Sequence, residues 1–399
     1  MRPIPAGALA GAAIATVAGL LACRVAPARA ADAAPPVLSP SGAGATSGDA
    51  RVATGAALFA KYCALCHGPE ARGYAADNAP SLVSPQFLSA ADDAYLTASI
   101  AFGRPGTSMA AYSSDAGGPL GEREIGAIVA FLRSRGPAAQ PLPAHAVGDA
   151  ALGQVLYTEN CERCHGDRTD PGDVVQLSNP RFLSLASDAY LHDAISRGRE
   201  GTRMEPFAGK LNERQIAAVV AYLRSWASPV QPLPPIRKAA TAAPVPEGPI
   251  VLNPKGKPPT FNLRDSRFVP AAEVKQALEE KRRIVIVDAR PPSDWLVEHI
   301  PGAISLPYYD SKALDRIPND GTWVVAYCAC PHHASGEVVD ELRRRGYPHT
   351  AVLDEGILVW RDLGYPVAGS AAESDAKPPD PGRRETARMR AHRARTPEP

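Results

Sequence analysis

Apolar residues follow a helical period from about residue 48 to 228, and beyond residue 265 they gather into short unbroken runs. In the first stretch, Glu122-Arg123-Glu124-Ile125 opens a helix with Ile125, Ile128, Val129 and Leu132 on one stripe. The same stripe returns as Ile216, Val219, Val220 and Leu223. Gly55 to Tyr62 and Gly153 to Tyr157 read as two further helices. In the second stretch, Ile284 to Asp288 and Trp323 to Tyr327 are continuous apolar runs, the mark of strands buried in a parallel sheet. An amphipathic helix is expected over Ala271 to Glu280, another from Ser335 to Arg345 stopping at Gly346, and a third strand over Thr350 to Leu353. The chain is therefore expected to be multidomain, with an all-α part followed by an α/β part whose sheet carries helices on both faces.

The helical part is duplicated. Cys63 recurs as Cys161 at an offset of 98, Pro85-Gln86-Phe87-Leu88-Ser89 as Pro180-Arg181-Phe182-Leu183-Ser184 at 95, and Ile125 to Arg133 as Ile216 to Arg224 at 91. The offset shrinks in steps, so the copies differ by short loop deletions. Two tandem modules follow, rather than a solenoid.

Each module carries Cys-x-x-Cys-His: Cys63-Ala64-Leu65-Cys66-His67 and Cys161-Glu162-Arg163-Cys164-His165. That spacing lets two thiols add across the vinyl groups of one haem while the adjacent imidazole reaches its iron. Of the four methionines, Met109 and Met204 occupy matching positions after Gly103-Arg104-Pro105-Gly106-Thr107-Ser108 and Gly198-Arg199-Glu200-Gly201-Thr202-Arg203. A thioether opposite histidine favours ferrous iron and raises the potential. The neighbouring glycines suit a loop that passes close to a porphyrin.

With these motifs, residues 48 to 228 resemble tandem class I c-type cytochromes. The resemblance implies two covalently attached haem c groups. Their thioether cysteines would be Cys63, Cys66, Cys161 and Cys164, and their axial ligands His67 with Met109 and His165 with Met204. In such cytochromes a proline carbonyl steadies the histidine ring. Pro80 takes that place in the first module, but Val175 stands there in the second, so the second haem is expected to be the more mobile.

The α/β part resembles a rhodanese-like domain through Asp288-Ala289-Arg290, His299-Ile300-Pro301-Gly302-Ala303-Ile304, Glu355-Gly356-Ile357-Leu358-Val359-Trp360 and Gly364-Tyr365-Pro366-Val367. The resemblance implies a cysteine at a strand end that carries sulfane sulfur as a persulfide. Its anion is stabilised by loop N–H groups and a helix N-terminus. The loop here, Cys328-Ala329-Cys330-Pro331-His332-His333-Ala334-Ser335, lacks the family's arginine, which argues against phosphatase or arsenate-reductase chemistry. Cys328 aligns with the strand end, and Cys330 is its rival when the count runs back from the helix. His332 and His333 offer partial positive charge near neutral pH, or are plain loop residues.

Composition changes the picture only around these domains. The formal net charge is +1, and no basic block calls for nucleic acid. Arg2 and the apolar run from Ala6 to Ala22 read as an export leader. Ala28-Arg29-Ala30 suits an ordinary signal peptidase, whereas Leu20-Leu21-Ala22-Cys23 resembles a lipobox, which implies membrane attachment by lipid at Cys23. Covalent haem attachment places the mature protein in the periplasm.

The expected organisation is a leader over 1–30, a flexible linker over 31–47, cytochrome domains over 48–136 and 148–228 with a linker over 137–147, a proline-rich linker over 229–264, the rhodanese-like domain over 265–368 and a disordered tail over 369–399. The expected partners are redox proteins and a small sulfur compound. Three accounts of the last domain stand side by side: Cys328 hands sulfur-derived electrons to the haems, Cys328 and Cys330 form a redox switch, or the domain only docks a partner.

Overall fold

The computed structural model describes residues 47–74, 78–170, 172, 174–228, 247–329 and 332–370. The leader with Cys23, the tether before residue 47, positions 229–246, Cys330 and the tail from residue 371 lie outside them.

The first helical module runs α1 (Ser47–Tyr62), α2 (Ala64–His67), α3 (Pro85–Ala90), α4 (Asp93–Phe102) and α5 (Glu122–Arg133). The second repeats it as α6 (Ala150–Asn160), α7 (Glu162–His165), α8 (Pro180–Leu185), α9 (Asp188–Arg197) and α10 (Glu213–Ser225). The predicted stripes are buried: Ile125, Ile128, Val129 and Leu132 on α5, and Ile216, Val219, Val220 and Leu223 on α10. Entry and closing helices cross through a glycine in both modules. A Cβ on Gly55 would sit 1.9 Å from the Ala127 carbonyl oxygen, and one on Gly153 would sit 1.9 Å from that of Ala218. Phe59 on Phe131, at 5.2 Å between ring centroids, and Tyr157 on Tyr222, at 5.5 Å, flank the two crossings. Gly55→Val is therefore expected to force these backbones apart and destabilise the first module by at least ~1–3 kcal/mol, read as a lower melting temperature.

One arginine closes each module. Arg133 on α5 donates to Asp93, to the Leu88 carbonyl at 2.6 Å and to the Ala91 carbonyl, and Arg224 on α10 makes the matching bonds to Asp188, Leu183 and Ala186. These bonds satisfy carbonyls at the ends of α3 and α8, which have no partner within so short a helix.

The two modules meet around a pseudo-twofold axis, with α3 against α9 and α4 against α8. Tyr95 and Tyr190, equivalent by the repeat, stack on each other at 4.8 Å. The tip of each methionine loop is held by the other module. Asn179 donates to the Pro105 carbonyl at 2.8 Å, and the Glu200 N–H donates to the Gln86 side chain at 3.0 Å.

The α/β part comprises β1 (Phe268–Val269), α11 (Ala271–Glu279), β2 (Ile284–Asp288), α12 (Pro292–Val297), β3 (Ile304–Ser305), β4 (Trp323–Tyr327), α13 (His333–Arg344), β5 (Thr350–Leu353) and α14 (Gly356–Asp362). The strands are parallel in the order β1-β5-β4-β2-β3. Alternation within each apolar run feeds two cores. Ile284 and Ile286 face α11 and α14, and Val285 and Val287 face α13. The longer strands match their predicted ranges, while α13 begins at His333 rather than Ser335. Part of the segment read as linker is folded onto this domain: Leu252 bridges Ile284 in both directions, at 2.8 and 3.2 Å, and Phe261 and Leu263 pack on the core. Its proline content hid this, because a single bridge beside β2 leaves no strand-length pattern to read.

Candidate functional site

In the first module α1 delivers Cys63 at its C-terminal end, and the single turn of α2 carries Cys66 and His67. The His67 N–H donates to the Cys63 carbonyl at 3.0 Å, which brings both cysteines and the imidazole to one face of the turn. His67 is buried, and its Nδ1 lies 2.9 Å from the Pro80 carbonyl. A carbonyl only accepts, so Nδ1 carries the proton and Nε2 keeps its lone pair for a metal. The second module is alike, with His165 Nδ1 2.9 Å from the Val175 carbonyl. Valine thus offers the same bond at the same distance as proline, since the acceptor is backbone.

Burial, with Cys66 as a lesser cause, pushes the Cys63 thiol up to about 12, and burial beside Cys164 pushes Cys161 up to about 11. These are pockets for neutral sulfur, which suits a thioether. Burial also holds both imidazoles below their ordinary pKa, against the pull of their carbonyl partners, so the neutral ligand form prevails at neutral pH.

The two methionine loops superpose bond for bond. Arg104 N–H donates to the Met109 carbonyl at 2.7 Å and Arg199 N–H to that of Met204 at 2.8 Å, while Thr107 and Thr202 hydroxyls cap the loops at 2.7 Å. Gly103 and Gly198 have positive φ, and a Cβ on either would come within 2.5 Å of the backbone around the methionine. In the first module the Tyr112 hydroxyl ties the end of this loop to the Tyr62 carbonyl, one residue before Cys63, at 2.9 Å. Near the module junction, Arg181 Nε and Nη1 and Arg199 Nη2 are buried without a hydrogen-bond partner among the described residues. Such donors fit the carboxylate edge of a haem, and with the thiol pairs and unprotonated Nε2 atoms they make a donor set matched to haem c.

Cys328 follows β4 at the C-terminal edge of the sheet, where a parallel α/β fold places ligands. It is 3% exposed, and its Sγ lies 3.2 Å from the Ser335 hydroxyl in the first turn of α13. His332, at φ 97°, turns back to Asp354, with Nε2 3.0 Å from Oδ1. Asp354, held also by Arg264 at 2.6 Å, stays below the usual carboxylate range because these hydrogen bonds outweigh its burial. His332 is thus committed to Asp354 and does not take the place of the missing arginine.

Beneath the loop, Arg290 makes bonds to the fully buried Asp288 at 2.6 and 2.9 Å and to the Glu298 carbonyl at 2.5 Å. This gives the Asp288-Ala289-Arg290 motif a structural reason. A separate cluster of His145, His192 and Glu213 has the ligand types of a metal site. Its imidazoles stack face to face at 3.4 Å and 10°, so their in-plane lone pairs run parallel and do not converge on one ion.

Sequence reasoning missed Tyr62, Tyr112 and Tyr308. The Tyr308 hydroxyl, from the loop after β3, donates to the Tyr62 carbonyl at 2.9 Å across 246 positions of sequence. No local signal marks such a pair.

The fold and these sites define the chain as a dihaem protein: two c-type cytochrome domains, each with one covalently attached haem c, followed by a rhodanese-like domain. The family described as cytochrome c oxidase, cbb3-type, subunit III matches residues 50–132 and 148–223, and the rhodanese-like domain family matches 270–363. The chain is 30% identical over 183 residues to the cbb3-type cytochrome c oxidase subunit FixP of Bradyrhizobium sp. (strain ORS 278), covering 43% of this chain and 60% of that protein. It is 28% identical over 193 residues to the subunit CcoP of Azospirillum sp. (strain B510), covering 44% and 62%. It thus spans about 60% of the length of these curated relatives. Among solved structures, the rhodanese-like domain of the Anabaena sp. Alr3790 protein is 26% identical, covering 28% of this chain and 85% of that one, with a TM-score of 0.25.

Proposed function

We propose that this protein is a periplasmic electron carrier in which Cys63, Cys66, Cys161 and Cys164 attach the two haems. His67 with Met109 and His165 with Met204 ligate the irons, and Cys328 passes to them the electrons of a small sulfur compound. The observation that carries the reading is the double Cys-x-x-Cys-His turn with each histidine Nδ1 tied 2.9 Å from a carbonyl. Two bound haems supply two one-electron acceptors. The residues around them fix the imidazole tautomer, shield the thioether sulfur from water and close the methionine loops.

At Cys328 the chemistry balances as follows. A thiolate and a hydrosulfide ion form one S–S bond, giving a cysteine persulfide anion, one proton and two electrons. The N-terminus of α13 favours the anion that results. Redox proteins complete the circuit as donor or acceptor. Covalent haem fits the periplasm, and lipid attachment at Cys23 would hold the protein to a membrane. Among the described residues no helix is long and apolar enough to cross one.

The burial of Cys328 favours a second reading, a plain dihaem carrier whose last domain is a docking module or a Cys328/Cys330 switch. Mixing the oxidised holoprotein with sulfide, thiosulfate or a persulfide donor separates the two. Fast haem reduction, lost in Cys328→Ala or in Cys330→Ala, is the expected result and names the nucleophile. Equal rates in all three proteins would establish the second reading.

A further inference from the structure

The edge of the parallel sheet that carries Cys328 is also the edge that meets the first cytochrome domain. Ser293, at the start of α12, donates to the Ala111 carbonyl. Leu296 lies so close to Gly117 that a Cβ there would be 2.4 Å from its Cδ1. Tyr309 stands edge-on to Tyr62 at 4.7 Å, with the Lys61 ammonium 5.8 Å from its ring centroid. Helix α13, which begins beside the Cys328 loop, lies against α2, the turn that holds Cys66 and His67.

A continuous chain of peptide and hydrogen bonds crosses this junction. Cys328 is bonded to Tyr327, whose carbonyl accepts from Ala289 N–H at 2.9 Å. The Ala289 carbonyl accepts from Tyr308 N–H at 2.9 Å. The Tyr308 hydroxyl donates to the Tyr62 carbonyl at 2.9 Å, and Tyr62 is bonded to Cys63. Electron tunnelling decays more slowly through bonds and short hydrogen bonds than across open space. None of the contacts named at this junction reaches the second cytochrome domain.

We propose that the rhodanese-like domain is docked by its Cys328 edge on the haem-attachment face of the first cytochrome domain, with Tyr308 as the positioning residue of the junction. With haems bound, sulfur-derived electrons would enter through the first cytochrome domain, on the side of Cys63, and pass to the second domain across the module interface. The direction of flow rests on the sulfur reading above, whereas the junction does not. The two bound haems would supply a one-electron acceptor for each of the two electrons released per persulfide formed.

The test uses full-length holoprotein and two readouts. Hydrogen exchange reports the junction without any sulfur compound. Tyr308→Phe is expected to raise exchange about fivefold at both 306–310 and 62–66, the loss of one interfacial hydrogen bond. Leu296→Glu should raise it further at both segments. Tyr157→Phe removes a hydroxyl bond to the Gly166 carbonyl inside the second cytochrome domain, and should leave both segments unchanged.

The second readout is the order of haem reduction by sulfide in Met109→His and in Met204→His backgrounds, where the altered ligand marks one haem in the visible spectrum and the lowered potential falls on each haem in turn. The first haem should reduce first, and more slowly after Tyr308→Phe. Exchange at 62–66 that ignores Leu296→Glu, or reduction of the second haem first, would overturn the proposal. Coupled exchange with no reduction by sulfide in any protein would uphold the junction and overturn the sulfur chemistry alone.

Discussion

Replacing Cys63 and Cys66 by alanine should halve the covalently bound haem, and replacing Cys161 and Cys164 as well should abolish it. Haem staining after denaturing electrophoresis, with the visible spectrum of the folded protein, reads both. Each pair lies at the end of an entry helix, on one turn with its histidine, so under the proposed function each would attach its own haem. The same variants should lower stability, because the buried His67 and the half-buried methionine loop would lose the packing of a large apolar group. Cys328→Ala should leave haem content unchanged. Full haem staining in the fourfold variant would refute the attachment.

Arg290→Met should destabilise the rhodanese-like domain by ~3–5 kcal/mol, the cost of leaving a buried carboxylate without its partner. Asp288 is fully buried and takes both bonds of the guanidinium fork, and the Glu298 carbonyl loses its donor too. Chemical denaturation, followed through the tryptophans of this domain, measures the effect. Haem content serves as the control and should not move, since Arg290 touches neither cytochrome domain. An unfolding midpoint equal to that of the unaltered protein would show that the pair is dispensable.

Much of this molecule is legible along the chain because the elements that matter are local. Cys63, Cys66 and His67 lie within one helical turn, so their spacing alone brings them to one face. The runs Ile284 to Asp288 and Trp323 to Tyr327 become strands because every second side chain enters one of two apolar cores. The repeat foretold that what one module does the other does too, and the matched arginine clamps, loop hydrogen bonds and glycine crossings follow that rule. The loop around Cys328 was harder to read. The loop sequence left His332 and His333 open as partial positive charge or as plain loop residues, and Asp354, reached through a different strand, captures His332.

The sequence by itself therefore determined the two Cys-x-x-Cys-His turns, the order of the domains and the strand carrying Cys328, all properties of short windows with strong chemical patterns. Tertiary structure alone decided which surfaces meet. Tyr95 stacks on Tyr190 across the pseudo-twofold axis, Leu252 joins the sheet from a proline-rich stretch, and Tyr308 reaches the Tyr62 carbonyl. Each of these depends on residues far apart in the chain whose side chains are ordinary for any buried surface. Packing selects such partners by shape and by the need to pair every buried polar group, and neither demand leaves a periodic trace in one dimension.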